Sequence, residues 1–171
     1  MKKTDEVSVV VTGLGWMKRG VRSIGSVIED MIAGASDEIQ IAVYLVTSGA
    51  GDFLELLKTS LQRGLKLSFI VNSFYSQPVD IQEKFLDLAR EFTNFVLLDF
   101  KGSKHEALHA KIIVVDRKVA FTGSSNLTWG GLTLNHEIGV KVEGPAAKKI
   151  ADLIDCLVRD QRTSRVGHRF V

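Results

Sequence analysis

The chain has 171 residues, of which 45% are hydrophobic and 25% charged, and its formal net charge is +2. This balance is typical of a globular domain and excludes a disordered or strongly polybasic protein. No run of 18 apolar residues is present and the N-terminus does not resemble a signal peptide, so we expect a cytoplasmic protein that does not act at a membrane. The single cysteine, Cys156, excludes an internal disulfide, and its apolar helical surroundings predict a buried position.

Apolar, β-branched runs alternate along the chain with stretches of helical periodicity. They predict strands near residues 7–12, 38–46, 67–72, 94–99, 110–116, 119–124 and 136–143, and helices near 20–34, 51–63, 79–92 and 146–160. Pro78 and Pro145 stand where two of these helices would begin. The alternation indicates an α/β fold, with a mixed β-sheet flanked by helices on both faces. We expect one domain over residues 1–160 and a basic C-terminal tail over residues 161–171.

Residues 109–126 predict a β-hairpin that collects polar groups at its open end. Two β-branched runs flank a turn centred on Arg117. Antiparallel pairing about that centre places Gly123 opposite Lys111, where a backbone or an anion must approach closely. Because side chains alternate along a strand, four polar groups gather at this level. They belong to His109, Lys111, Ser124 and Asn126.

The spacing H-x-K-x4-D-x6-G-S-x-N resembles the signature of the phospholipase D superfamily, the HKD motif. It is formed here by His109, Lys111, Asp116, Gly123, Ser124 and Asn126. Upstream, residues 53–67 resemble the family's helix, R-G pair and strand, and downstream, residues 135–140 resemble its next strand, which carries an acidic residue. The resemblance spans about residues 35–160 and implies a phospholipase D-like fold and a catalytic domain in residues 1–160.

The motif's residue types suit attack on a phosphodiester without a metal or other cofactor. Lys111 supplies positive charge, and Ser124 and Asn126 supply oriented donors, so these three are expected to bind the substrate phosphate. His109 is the group able to act as a nucleophile at neutral pH. Glu137 is the candidate to hold the other ring nitrogen of His109. Asp116 is expected to have a structural role in the turn.

The motif occurs once, although the family's chemistry uses two histidines. The resemblance implies that one histidine forms a phosphohistidine while the second acts first as general acid and then as base. A symmetric homodimer supplies the second histidine economically, and the resemblance implies that small single-motif members, mainly endonucleases, are built in this way. We therefore predict a homodimer whose two-fold axis passes through the active site.

The substrate is open between several alternatives. A nuclease acting on DNA or RNA is favoured by the single motif and by the arginines of the tail. A phospholipase D-type lipid phosphodiesterase would need a membrane-contacting element, for which Phe74–Tyr75 and Trp129 are the only candidates. The chain could also be the catalytic part of a restriction-type nuclease whose recognition domain lies elsewhere, or a catalytically silent nucleic-acid-binding module, against which the intact motif argues.

A second motif overlaps the first. Residues 105–109 read H-E-x-x-H, the zinc-protease signature, which requires His105 and His109 to share one face of a helix. Because the segment runs directly into a β-branched strand, we expect no such helix and no metal site.

Overall fold

The computed structural model describes residues 4–17, 20–47, 49 and 51–167. Within them, one sheet contains β1 (Glu6–Val11), β2 (Glu38–Val43), β3 (Lys66–Asn72), β4 (Phe95–Phe100), β5 (Lys111–Val115), β6 (Val119–Gly123), β7 (Ile138–Glu143) and β8 (Thr163–Arg165). The helices are α1 (Leu14–Met17), α2 (Ile24–Ala33), α3 (Gly51–Gln62), α4 (Val79–Glu91) and α5 (Pro145–Val158). A 3₁₀ turn, Phe74–Ser76, and a π-helical turn, Gly130–Leu134, lie in the connections.

The strand order is β1-β7-β6-β5-β2-β3-β4-β8. The central strands β2, β3 and β4 pair in parallel, and the remaining pairs are antiparallel. Parallel neighbours need a crossover, which α3 and α4 provide. Helices α2, α3 and α4 bury their apolar sides on one face of the sheet, and α5 covers the other through Ala147, Ala151 and Ile154. The expected α/β fold, a mixed sheet with helices on both faces, is therefore confirmed.

The β5–β6 hairpin has the register expected from the sequence. Ile112 pairs with Thr122 and Val115 with Val119, so the turn is centred on Arg117. Asp116 and Arg117 both adopt positive φ angles, 52° and 53°. Arg117 donates to Asp155 on α5 at 2.8 and 3.0 Å and also to Glu38 at the start of β2, so the turn is tied to two other elements.

The structure differs from the expectation at the C-terminal end. Thr163–Arg165, within the segment expected to be a tail, forms β8 and pairs with the edge of β4. Val166 is only 5% exposed and joins the core. This strand forms because the open edge of β4 offers hydrogen-bond partners. Its three residues have no apolar pattern, so the sequence did not predict it. The predicted role of Arg169 lies outside the described residues.

The prediction for Cys156 was wrong, because the side chain is exposed on α5. The buried face of this helix is set by Ala147, Ala151 and Ile154, spaced four and three residues apart. Cys156 lies two positions beyond Ile154 and therefore turns away from the sheet. The two prolines behave as expected, since Pro78 immediately precedes α4 and Pro145 is the first residue of α5.

Candidate active site

The predicted site residues other than Asp116 lie at one edge of the sheet, here called the site edge. This is the edge where β1, β2, β3, β4 and β6 end and where β5, β7 and β8 begin. His109 lies two residues before β5, Ser124 follows β6 directly and Glu137 precedes β7 directly. Because β5, β6 and β7 are neighbours, the fold brings these side chains to adjacent strand ends, and the hairpin pattern predicted this for His109 and Ser124.

His109 and Lys111 form the centre of the site. The Nζ atom of Lys111 lies 3.3 Å from both ring nitrogens of His109 and donates a hydrogen bond to its carbonyl oxygen at 3.1 Å. The imidazole is exposed, whereas Lys111 is only 7% exposed. Burial lowers the pKa of Lys111, and the charge of Glu137 opposes this shift. No carboxylate among the described residues forms an ion pair with Lys111.

Glu137 has different hydrogen-bond partners from those expected. The sequence suggested a bond to His109, but the carboxylate accepts from the hydroxyl of Ser124 and from Asn135 at 3.5 Å. The backbone fixes this arrangement, because Thr12 donates to the carbonyl of Glu137 at 2.9 Å. The amide of Ile138 donates to the Ser124 hydroxyl at 3.2 Å. Glu137 thus orients Ser124 and acts electrostatically on Lys111.

Gly123 and Asn126 complete the end of the hairpin. A Cβ atom on Gly123 would lie 2.7 Å from the Cα of Gly139, so the glycine permits the close approach of β6 to β7. The buried Oδ1 of Asn126 has no hydrogen-bond partner within the described part of the chain. A buried amide oxygen normally accepts a hydrogen bond, so we expect the Oδ1 of Asn126 to accept one from a donor outside the described residues.

Asp116 lies at the opposite end of the hairpin and is a structural residue there. Its carboxylate accepts from the backbone amides of Ser36, Asp37 and Glu38 at 2.9, 2.8 and 3.0 Å. Burial opposes its charge, but these three donors together with Lys118 lower the pKa of Asp116. The carboxylate therefore fastens the hairpin turn to the segment entering β2.

The overlapping zinc-protease pattern has no structural basis. The segment containing His105 and His109 forms no helix and leads into β5 in an extended path. Across residues 4–17, 20–47, 49 and 51–167, no cluster of three or more His, Cys, Asp or Glu side chains is placed to hold a metal ion.

Tyr44 is a site residue that the sequence did not indicate. Its ring centroid lies 4.8 Å from that of His109, and Lys111 Nζ lies 5.5 Å from the Tyr44 centroid. The tyrosine follows β2 directly, at the carboxyl end of a parallel strand, where sites of open α/β sheets form. That position was the available signal, but using it required knowing that β2 neighbours β5.

Comparison with known proteins gives a family and a set of relatives. Residues 28–158 match the family model described as cardiolipin synthase, PLD-like domain. The DISARM protein DrmC of Bacillus paralicheniformis is 27% identical over 147 residues, covering 85% of this chain and 60% of that protein. Cardiolipin synthase A of Buchnera aphidicola is 29% identical over 142 residues, covering 82% and 28%. The 5'-3' exonuclease PLD3 of Rattus norvegicus is 27% identical over 123 residues, covering 64% and 24%.

The chain thus spans at most about 60% of the length of these curated relatives. Among solved structures, NucT from Helicobacter pylori superposes with a TM-score of 0.75 at 18% identity, covering 91% of this chain and 97% of that one. No helix in the described residues is long and apolar enough to cross a membrane. The fold, the motif geometry and a family match over residues 28–158 agree, and the chain belongs to the phospholipase D-like family.

Proposed function

We propose that this chain is a phosphodiester hydrolase that cleaves nucleic acid, most simply as an endonuclease that works without a metal. The observation that carries this proposal is the ammonium of the largely buried Lys111, held 3.3 Å from the ring nitrogens of His109 without a carboxylate ion pair in the described residues. A buried charge is costly unless an anion compensates it. A substrate phosphate placed there would supply the missing anion directly beside an exposed imidazole.

The mechanism follows from these groups. Lys111, with the side-chain NH2 of Asn126, stabilises the negative charge of the non-bridging oxygens, and Ser124 adds a donor when its hydroxyl turns from Glu137 to the phosphate. A ring nitrogen of His109 attacks phosphorus, the bond to the leaving oxygen breaks, and that oxygen takes a proton from the partner's His109. Water then attacks the phosphohistidine, giving its proton to the same partner histidine and restoring both rings. Glu137 keeps Ser124 oriented and helps to keep Lys111 protonated.

Nucleic acid is the favoured polymer, although the site itself recognises only a phosphodiester. The relatives include both a cardiolipin synthase and an exonuclease, so their names do not decide the question. Of the suggested membrane-contacting residues, Phe74 is fully buried, whereas Tyr75 and Trp129 are 58% and 55% exposed. Exposed Tyr75 and Lys101 lie farther along the site edge and suit a polyanion carrying aromatic bases.

The substrate is tested by incubating the purified protein with plasmid, single-stranded DNA, RNA and phospholipid vesicles, each with and without EDTA. We expect the cleavage of nucleic acid to continue in the presence of the chelator, because the positive charge of Lys111 takes the place of a metal ion at the phosphate. His109→Ala is the matched control for a contaminating nuclease and should be inactive. Activity that disappears with EDTA and returns with a divalent metal contradicts the mechanism, and cleavage confined to vesicles replaces the nuclease with the lipid enzyme.

The homodimer is part of this proposal because each protomer carries one motif. We expect a dimer in sedimentation at micromolar concentration, with the two His109 side chains facing one phosphate. Wild type co-refolded with an equal amount of His109→Ala distinguishes a shared site from independent sites. If both histidines are needed, only wild-type homodimers turn over. At equal total protein concentration, the activity then falls to about one quarter of that of wild type alone. A fall to about one half shows that each protomer works alone.

A further inference from the structure

An exposed aromatic residue lies on the site edge beyond the catalytic groups. Tyr75 belongs to the 3₁₀ turn that follows β3 and is 58% exposed. Lys101 follows β4 directly, and its Nζ lies 5.7 Å from the centroid of the Tyr75 ring. The lysine side chain is 64% exposed. The motif chemistry uses neither residue.

A buried carboxylate binds the turn of Tyr75 and lies near Lys101. Asp99, near the end of β4, is 1% exposed. Its Oδ1 accepts from the amide of Phe74 at 2.7 Å, and its Oδ2 lies 3.5 Å from the Nζ of Lys101. The buried carboxylate therefore holds the turn that carries Tyr75 through a hydrogen bond, and its charge attracts the lysine without a hydrogen bond. Phe74 packs under the turn, fully buried, with its ring 5.2 Å from that of Tyr75.

The pair is close to the catalytic histidine. In the sheet, β5, β2 and β3 are consecutive neighbours, so the end of β3, which leads into the turn of Tyr75, is about two strand spacings, roughly 10 Å, from the start of β5, which follows His109. The connection is physical as well, because the side-chain oxygen of Asn72, at the end of β3, accepts from the amide of Leu108 at 2.9 Å. The turn of Tyr75 and the segment carrying His109 are thus anchored to the same residue of β3.

We propose that Tyr75 and Lys101 form a stacking platform for an unpaired base next to the scissile phosphate, which makes single-stranded nucleic acid the preferred substrate. This inference rests on the proposed function. An exposed ring held rigidly offers a base its face, and the adjacent ammonium binds the neighbouring phosphate. In a duplex, the base is already stacked and paired, so it cannot reach the ring without being extruded.

The β8 end of the site edge carries more basic residues but is less suited to binding this phosphate. Arg162 precedes β8, but its guanidinium is bound by Asp160 and Glu106, which raise its pKa. Its positive charge is therefore already compensated. Lys101 also faces a carboxylate, that of Asp99, but at 3.5 Å and with most of its side chain in solvent.

The test measures binding in the His109→Ala background, so that the probe is not cut. The probes are a single-stranded oligonucleotide, the same strand with one abasic position and its duplex. Tyr75→Ala should weaken single-strand binding roughly 5- to 150-fold, the range for one base–aromatic stack, while Tyr75→Trp restores it. Lys101→Gln should reduce the salt dependence by about 0.7 in log–log slope, the contribution of one phosphate contact. Leu153→Ala, 65% exposed on α5, is the control and should bind normally.

Hydrolysis of bis(4-nitrophenyl) phosphate by Tyr75→Ala, with His109 intact, separates the two proposals. This small ester needs the catalytic groups but not the platform, so we expect unchanged turnover. Wild type that cleaves neither the ester nor nucleic acid refutes the proposed function, whereas binding reports on the platform independently. Single-strand binding unaffected by Tyr75→Ala, or equal affinity for strand and duplex, overturns the platform. Loss in Tyr75→Ala of binding to anionic phospholipid vesicles, with oligonucleotide binding retained, overturns it in favour of a lipid surface.

Discussion

Asp116→Asn separates the structural part of the motif from its chemical part. Asp116 is seven residues from His109 and five from Lys111 along one arm of the hairpin, so it lies about 23 Å from the first and about 16 Å from the second. Its Oδ1 accepts from Asp37 and Glu38, and its Oδ2 accepts from Ser36. Asparagine tolerates the observed φ of 52° and retains one carbonyl oxygen. The substitution therefore removes the charge and one acceptor without imposing a new backbone conformation.

The expected cost is about 1.5–3 kcal/mol in the free energy of unfolding, the contribution of one hydrogen bond to a charged group. The solvent exposure of this turn favours the lower half of that range. The pKa of Asp116 is lowered in the folded state, so its charge stabilises the fold above its unfolded value near 4 and stops doing so as the pH falls. The difference between wild type and Asp116→Asn should therefore shrink below about pH 4.

Urea unfolding at pH 7, 5 and 3 measures this difference, and turnover of a small phosphodiester measures the chemistry. Asp87→Asn is the matched control, because its exposed ion pair with Arg90 should contribute less than about 0.5 kcal/mol. We expect unchanged turnover per folded molecule. An Asp116→Asn protein with wild-type stability and no turnover would refute the structural assignment, since the motif aspartate would then act on the reaction.

Two further predictions concern the site edge and the C-terminal strand. Glu137→Gln removes the charge that raises the pKa of Lys111, so the lysine should lose its proton at lower pH. The alkaline limb of the pH profile of kcat/KM should therefore shift to lower pH. A limb at the wild-type pH contradicts this role of Glu137. Deleting residues 161–171 removes β8 and the buried Val166, and should lower the free energy of unfolding by at least about 1.5 kcal/mol, measured in urea. A truncated chain of unchanged stability would show that the segment acts only as a tail.

The central fold was predictable because local pattern and final structure agree. The parallel strands β2, β3 and β4 are apolar runs buried on both faces, and the hairpin register follows from two arms of equal length about Arg117. β8 was not predictable in the same way, because its three residues carry no alternation and gain their pairing from the edge of β4. The prediction of a buried Cys156 was wrong for a related reason, because an apolar helical stretch does not by itself identify which face of the helix is buried.

The site was predictable along the hairpin and not across the sheet. His109, Lys111 and Ser124 come together through the register of β5 and β6, which one segment of sequence contains. The partner of Glu137 depends on how β7 enters the sheet, and Tyr44 depends on β2 lying beside β5. Strand order is a property of the whole chain, so these contacts could not be read from the motif.

The fixed gaps of the motif have a physical meaning in this fold. The gap from His109 to Asp116 measures one arm of the hairpin from the site edge to the turn, and the gap from Asp116 to Gly123 measures the return. Asp116 anchors the turn to the backbone before β2, so both arms start from a fixed point. Inserting one residue in either arm would shift the register and move the side chains beyond the insertion to the other face of the sheet, because side chains alternate with a period of two. His109 and Lys111 would then point to the opposite face of the sheet from Ser124 and Asn126. The spacing is therefore constrained by the hairpin's length as strongly as the residue types are constrained by the chemistry.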